Sequence, residues 1–191
     1  TLEDLVVPLG NLEVRFQDIS NSWGQYYIYV LASRGVIQGR SAGEFAPNDQ
    51  IIRGDFTKLL ISAMSRTATS NSTFSDVKSN DYYYEHIQTA ASLGIVTGFS
   101  GKFNPKATIT RQDMMVILYR ALKTENIILE TKANLELFSD AHQIADYAKE
   151  AVAYLVGQGI IEGHAGKLRP MDTLTRQEAA KVLYYFVGLL Q

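Results

Sequence analysis

The strongest constraint on this chain is that it repeats itself three times. Phe16-Gln17-Asp18, Phe74-Ser75-Asp76 and Phe138-Ser139-Asp140 open the three units. An aromatic residue follows in each (Trp23, Tyr82, Tyr147), then a glycine at the same later position (Gly35, Gly94, Gly159) and another just after it (Gly39, Gly98, Gly163). A turn glycine (Gly43, Gly101, Gly166) precedes Phe45, Phe103 or Leu168 and a proline, Pro47, Pro105 or Pro170. Each unit then reaches an arginine: Arg53, Arg111 and Arg176. A unit this short cannot bury an apolar face by itself, so the copies must pack together.

Each unit reads as two helices joined by an irregular loop. The first runs roughly from the aromatic to the first glycine, with Ile28, Leu31 and Ala32 recurring as Ile87, Ala90, Ala91 and as Val152, Leu155, Val156, a helical spacing. The glycine is expected to end the helix in a left-handed turn. The apolar pairs Val36-Ile37, Ile95-Val96 and Ile160-Ile161 suit a short buried strand-like stub. The second helix starts at the arginine. Phe56, Leu59, Leu60, Ala63 and Met64 form a stripe repeated by Met114, Ile117, Leu118, Ala121, Leu122 and by Ala179, Val182, Leu183, Phe186, Val187. Three such amphipathic helices pack most simply as a central three-helix core.

Thr175-Arg176-Gln177-Glu178 carries a capping-box signature, echoed by Thr110-Arg111-Gln112-Asp113. The Thr hydroxyl caps the third helical N–H and the acid reaches back to the N-cap. That leaves an arginine beside the positive end of a helix, a place that suits an anion. Ile52-Arg53-Gly54-Asp55 lacks the Thr and has a flexible glycine after the arginine. Its site is therefore expected to be the weakest, with Arg111 and Arg176 ranked ahead of Arg53.

Composition narrows the function classes. Apolar residues make up 46% of the 191, enough to fill a core, and the net charge of −2 offers no field for nucleic acid. With no cysteine, disulfides, thiol nucleophiles and thiolate metal sites are excluded. No apolar run approaches the roughly 20 residues of a membrane helix. His86, His142 and His164 have no metal spacing, and neither a nucleophile elbow nor a phosphate loop is present. No enzyme activity and no cofactor are expected. Without a signal peptide, Thr1 reads as the start of a trimmed fragment.

Six features in order, three times over, resemble the S-layer homology repeat, the cell-wall anchoring module of bacterial surface proteins. The resemblance runs from Phe16 nearly to the end of the chain and divides it into a leader or linker (1–15) and repeats at 16–66, 74–123 and 138–191. The leader suits a linker, the end of a preceding domain or a helix packed on the first repeat. Residues 66–73 read as a polar linker, and 123–137 as a longer connection with an added half-turn of helix or short strand.

The resemblance implies an all-α, pseudo-threefold unit around a central three-helix bundle, with ligand grooves between neighbouring repeats. It implies an extracellular location at the cell wall or S-layer of Gram-positive type, without nucleic acid or membrane insertion. It also implies a partner: a secondary cell-wall polymer on peptidoglycan, often bearing pyruvylated N-acetylmannosamine, to which the remainder of a parent surface protein is tethered.

The residues agree with such an anionic saccharide. A guanidinium can make paired hydrogen bonds to a carboxylate, and Asp18, Asp76 and Asp140 can meet sugar hydroxyls. Gly39, Gly98 and Gly163 allow close approach to backbone N–H groups. Trp23, Tyr82, Tyr147 and Phe99 can cover an apolar sugar face, and Lys102 and Lys167 add positive charge to units two and three. The aromatics equally suit helix anchors, and the aspartates suit turn caps. A structural module assembling a protein lattice through arginine salt bridges is the alternative function.

Overall fold

The structure, a computed structural model, describes residues 16–67, 74–127 and 129–190. The expectations for 1–15, for residues 68–73 of the linker and for Ile128 fall outside that range. Among the described residues six α-helices form: α1 (Gln25–Ser33), α2 (Arg53–Met64), α3 (Tyr84–Ser92), α4 (Arg111–Thr124), α5 (Lys149–Gly157) and α6 (Arg176–Leu189). Among the described residues no strand is present, only isolated bridges.

The first helices start later than expected, two residues past Trp23, Tyr82 and Tyr147, so these rings precede the helix. All three end alike. Gly35, Gly94 and Gly159 adopt φ of 70°, 71° and 69°. The Gly35 N–H bonds the Ala32 carbonyl (3.0 Å) and the Val36 N–H bonds the Leu31 carbonyl (2.9 Å), with equivalents in the other repeats. This is the paired closure of a Schellman turn. It also disposes of the strand-like stub: Val36, Ile95 and Ile160 spend their N–H groups closing the helix. Ile37, Val96 and Ile161 are buried as the apolar plug that accompanies such a turn. Among its described residues the connection after α4 likewise forms no strand. Ile127 bonds back to Leu122, and a single turn of 3-10 helix covers Leu135–Leu137.

The stripes of α2, α4 and α6 are buried, with Phe56, Met114, Leu118, Ala179, Leu183 and Phe186 fully enclosed. The most extensive helix pairs join different repeats: α3 lies on α2, α5 on α4, and α1 on α6, while α2 also meets α6. Each first helix thus completes the face of the preceding repeat's second helix, and the first repeat closes onto the third.

Backbone bonds follow the same cycle. The N–H groups of Arg53 and Gly54 bond the carbonyls of Ala107 and Pro105 (2.9 and 2.8 Å). Those of Arg111 and Gln112 bond Asp172 and Pro170 (2.8 and 2.9 Å), and those of Arg176 and Gln177 bond Asp49 and Pro47 (2.8 and 3.0 Å). The first two orphan donors of every second helix are therefore satisfied by the next repeat's loop. This corrects the idea that these helix ends are open to an anion.

The glycine after Arg53 has a packing cause. A Cβ on Gly54 would lie 2.8 Å from Tyr83 Cδ1. In the equivalent places Gln177 stands against Gly24, and Gln112 bonds the N–H of Ala145. Large and small residues alternate across the joint, so Gly54 is a matched partner and not a flexible defect.

Candidate functional site

Three clefts lie at the joints between repeats, with volumes of about 540, 560 and 380 Å³. Each takes its floor from one repeat's loop and second helix, its aromatic from the next repeat and its arginine from the one before. The first combines Gln38, Gly39, Asp55 and Lys58 with Tyr82 and Arg176. The second combines Gly98, Phe99, Lys102 and Asp113 with Tyr147 and Arg53. The third combines Gly163, His164, Glu178 and Lys181 with Trp23 and Arg111. The arginines are therefore shifted by one place from the sequence reading, which grouped each with its own repeat's loop.

Every arginine is aimed by the same bond. Arg53, Arg111 and Arg176 donate Nε–H to the carbonyls of Phe103 (3.1 Å), Leu168 (3.0 Å) and Phe45 (2.8 Å). Arg53 and Arg176 also lie over the rings of Phe103 and Phe45 (5.0 and 4.6 Å). Beyond this the three differ. Arg53 forms an ion pair with Asp113 (3.1 Å). Arg176 is buried, gives Nη2–H to the Gln38 carbonyl (3.2 Å) and faces Asp55 at 3.8 Å. Arg111 has no ion pair among the described residues. Burial, and then Arg169 beside it, pull its pKa below the ordinary value against the opposing pull of Glu178, Asp172 and Asp140.

The acids at the third helical position also diverge. Glu178 completes the capping box, its Oε2 accepting from the Thr175 N–H (2.8 Å) while Thr175 Oγ1 accepts from the Glu178 N–H. Asp113 keeps only the Thr110 half of that arrangement. An aspartate is one methylene shorter, and here its carboxylate turns into the cleft to accept from Tyr147 (2.7 Å) and Arg53. Asp55 accepts from Tyr82 in the same way. Burial, and then the bond to Asp113, push the Tyr147 hydroxyl up to about 12, so it remains a donor at neutral pH. Trp23 offers no hydroxyl, and it is the residue opposite Glu178.

The other sequence-derived candidates sort cleanly. Trp23, Tyr82 and Tyr147 line clefts with rings more than half exposed, and Phe99 is 83% exposed at the second. Lys102 lines the second cleft; Lys167 is not among the residues lining the third. Asp18, Asp76 and Asp140 line none of the three. Each carboxylate accepts two consecutive loop N–H groups: Phe45 and Ala46 for Asp18, Phe103 and Asn104 for Asp76, Leu168 and Arg169 for Asp140. Burial alone would raise these carboxyls, but the N–H bonds outweigh it and hold them below the usual range. In the structure these bonds fix the loop.

Gly39, Gly98 and Gly163 do line the clefts, but the close approach they permit is to the chain itself. A Cβ there would lie 2.5, 2.5 and 2.6 Å from the rings of Phe16, Phe74 and Phe138. The sequence reading missed the cleft faces of the second helices: Asp55, Lys58 and Ser62; Asp113, Val116 and Arg120; Glu178, Lys181 and Tyr185. These stand at i, i+3 and i+7, so the signal was the same periodicity, read for the mostly polar residues beside the apolar stripe.

Comparison with known proteins places this architecture. The family profile of the S-layer homology domain matches residues 15–57, 73–115 and 137–180. The chain is 34% identical over 178 residues to an amylopullulanase of Thermoanaerobacterium thermosulfurigenes, covering 92% of this chain and 9% of that protein. It is 34% identical over 188 residues to exoglucanase XynX of Acetivibrio thermocellus (96% and 17%). With the surface-layer 125 kDa protein of Lysinibacillus sphaericus it shares 33% identity over 157 residues (80% and 13%). The chain thus spans less than a fifth of the length of each of these relatives. The three matched segments take in the loops, arginines and acids that build the clefts, and they establish that this chain belongs to the S-layer homology domain family, the repeats of S-layer and cell-surface proteins.

Proposed function

We propose that the chain is a non-catalytic anchor that holds a surface protein to the bacterial cell wall by binding an anionic secondary cell-wall polymer in its clefts. One observation carries the reading. Each cleft sets a guanidinium from one repeat and an exposed aromatic ring from another against a loop of the third. A carboxylate-bearing sugar such as a pyruvylated N-acetylmannosamine terminus needs that combination: paired N–H donors for the acid and an apolar face for the ring.

Cations outnumber acids in every cleft: Arg40, Lys58 and Arg176 against Asp55 in the first; Arg53, Lys102 and Arg120 against Asp113 in the second. In the third, Arg111, Arg169 and Lys181 face Glu162 and Glu178. Relatives with enzyme names match over a small fraction of their length, which fits an attached module. The polymer itself is tested by co-sedimentation with isolated wall sacculi before and after chemical removal of the secondary polymer. Binding lost with the polymer supports the anchor. Binding to bare peptidoglycan, or self-association without wall binding, overturns it.

A further inference from the structure

The three clefts share a plan but not a state of charge, and the difference traces to one helical position. In the second cleft Asp113 already supplies a carboxylate to Arg53 at 3.1 Å and is itself held by the Tyr147 hydroxyl at 2.7 Å. An incoming carboxylate would meet an occupied guanidinium. In the first cleft Arg176 spends Nε and Nη2 on the carbonyls of Phe45 and Gln38 and shares its remaining charge with Asp55, which Tyr82 holds. In the third cleft the acid is Glu178. It folds back to cap its own helix at Thr175, and the aromatic opposite, Trp23, has no hydroxyl to draw it into the cleft.

Arg111 is thereby left with one bond, Nε to the Leu168 carbonyl, and no carboxylate within ion-pair distance among the described residues. Around it stand Lys181 and Arg169, with Trp23 56% exposed and Tyr185 forming a second aromatic wall. Glu178, Asp172 and Asp140 act on Arg111 only from beyond ion-pair distance, and a half-buried cation without a direct carboxylate partner gains from a carboxylate ligand.

We propose that the residue three places into the second helix sets which cleft binds. Glu178, withdrawn as a cap, leaves the third cleft open as the primary carboxylate-sugar site, while Asp113 acts as a built-in occupant that closes the second. This rests on the anchoring reading above and specifies its site. The aspartate need not be lost for the helix to stay capped, because Thr110 Oγ1 accepts from the Asp113 backbone N–H (3.3 Å) whatever the side chain.

The test uses the whole chain and, as probe, the methyl glycoside of pyruvylated N-acetylmannosamine, with its depyruvylated form as control. Binding is followed by calorimetry and by backbone amide shifts. The wild type is expected to bind one equivalent and to shift Gly163 and His164 well beyond Gly98 and Phe99. Arg111→Gln should weaken that site at least tenfold. Asp113→Asn keeps the size and the Tyr147 contact but removes the charge. It should add a second equivalent, with new shifts at Gly98 and Phe99. Equal shifts in both clefts of the wild type, or an Asp113→Asn variant that still takes one equivalent, overturns the proposal and leaves the anchor standing. A folded wild type that binds no pyruvylated sugar removes that ligand and this proposal together. The amide shifts keep the test decisive should Arg111→Gln fail to fold.

Discussion

Tyr83 fills the space that a side chain on Gly54 would need: a Cβ there would stand 2.8 Å from its Cδ1 and 3.0 Å from its Cε1. Tyr83 is buried, and the N–H of Gly54 bonds the Pro105 carbonyl, so neither side can retreat. Gly54→Ala is therefore expected to cost about 1–3 kcal/mol, the usual range for overpacking. Copying the other joint with Gly54→Gln and Tyr83→Ala together should cost less than the sum of the two single changes, by about 0.5–3 kcal/mol of coupling. Urea unfolding of the four proteins measures it, and strict additivity would show that the two residues are not matched.

The aspartate clamps make stability depend on acid. The folded carboxyls of Asp18, Asp76 and Asp140 lie below their ordinary value, because loop N–H bonds outweigh the burial that would raise them. The unfolded chain therefore binds protons first as pH falls. Their contribution is complete above the unfolded value of roughly 4 and is lost as pH drops through the lower folded values. Urea midpoints should fall steeply below about pH 4. Asp76→Asn should destabilise at pH 7 by about 1–3 kcal/mol, the cost of poorly satisfied loop donors, and flatten the acid limb. An unchanged limb in this variant counts against the clamp.

His86 gives a second, separate pH window. Its Nδ1 is buried without a hydrogen-bond partner among the described residues. Burial, and then Lys58, depress its pKa below 6.5, with Glu85 opposing. The unfolded state again takes up the proton first, so stability is expected to decline between pH 7 and pH 5, before the aspartates respond. In His86→Phe that decline should disappear. If the slope between pH 7 and pH 5 survives the substitution, another group is responsible.

Much of this fold was legible because it is written locally. The stripe from Phe56 to Met64 and its two copies fixed the second helices, and Thr110 and Thr175 marked where two of them begin. Gly35 and its counterparts ended the first helices. What was not legible depends on partners distant in sequence. No spacing assigns Arg176 to a cleft floored by Gly39, because that follows from the third repeat closing on the first. Asp18 reads alike as a sugar contact or as a loop clamp until Phe45 is brought beside it. Gly54 reads as a flaw until Tyr83 is seen against it. Asp113 and Glu178 look interchangeable in the motif, yet one methylene sends the first into the cleft and lets the second cap its helix.

The central claim is that clefts assembled from three repeats take the acid of a wall saccharide. The measurement that meets it most directly is calorimetric titration of the chain with pyruvylated N-acetylmannosamine saccharide beside the same saccharide stripped of pyruvate. The account predicts saturable binding with the acid present and none without it, weakened when Arg111 is replaced. Equal heats with and without pyruvate, or none with either from a folded chain, would contradict it.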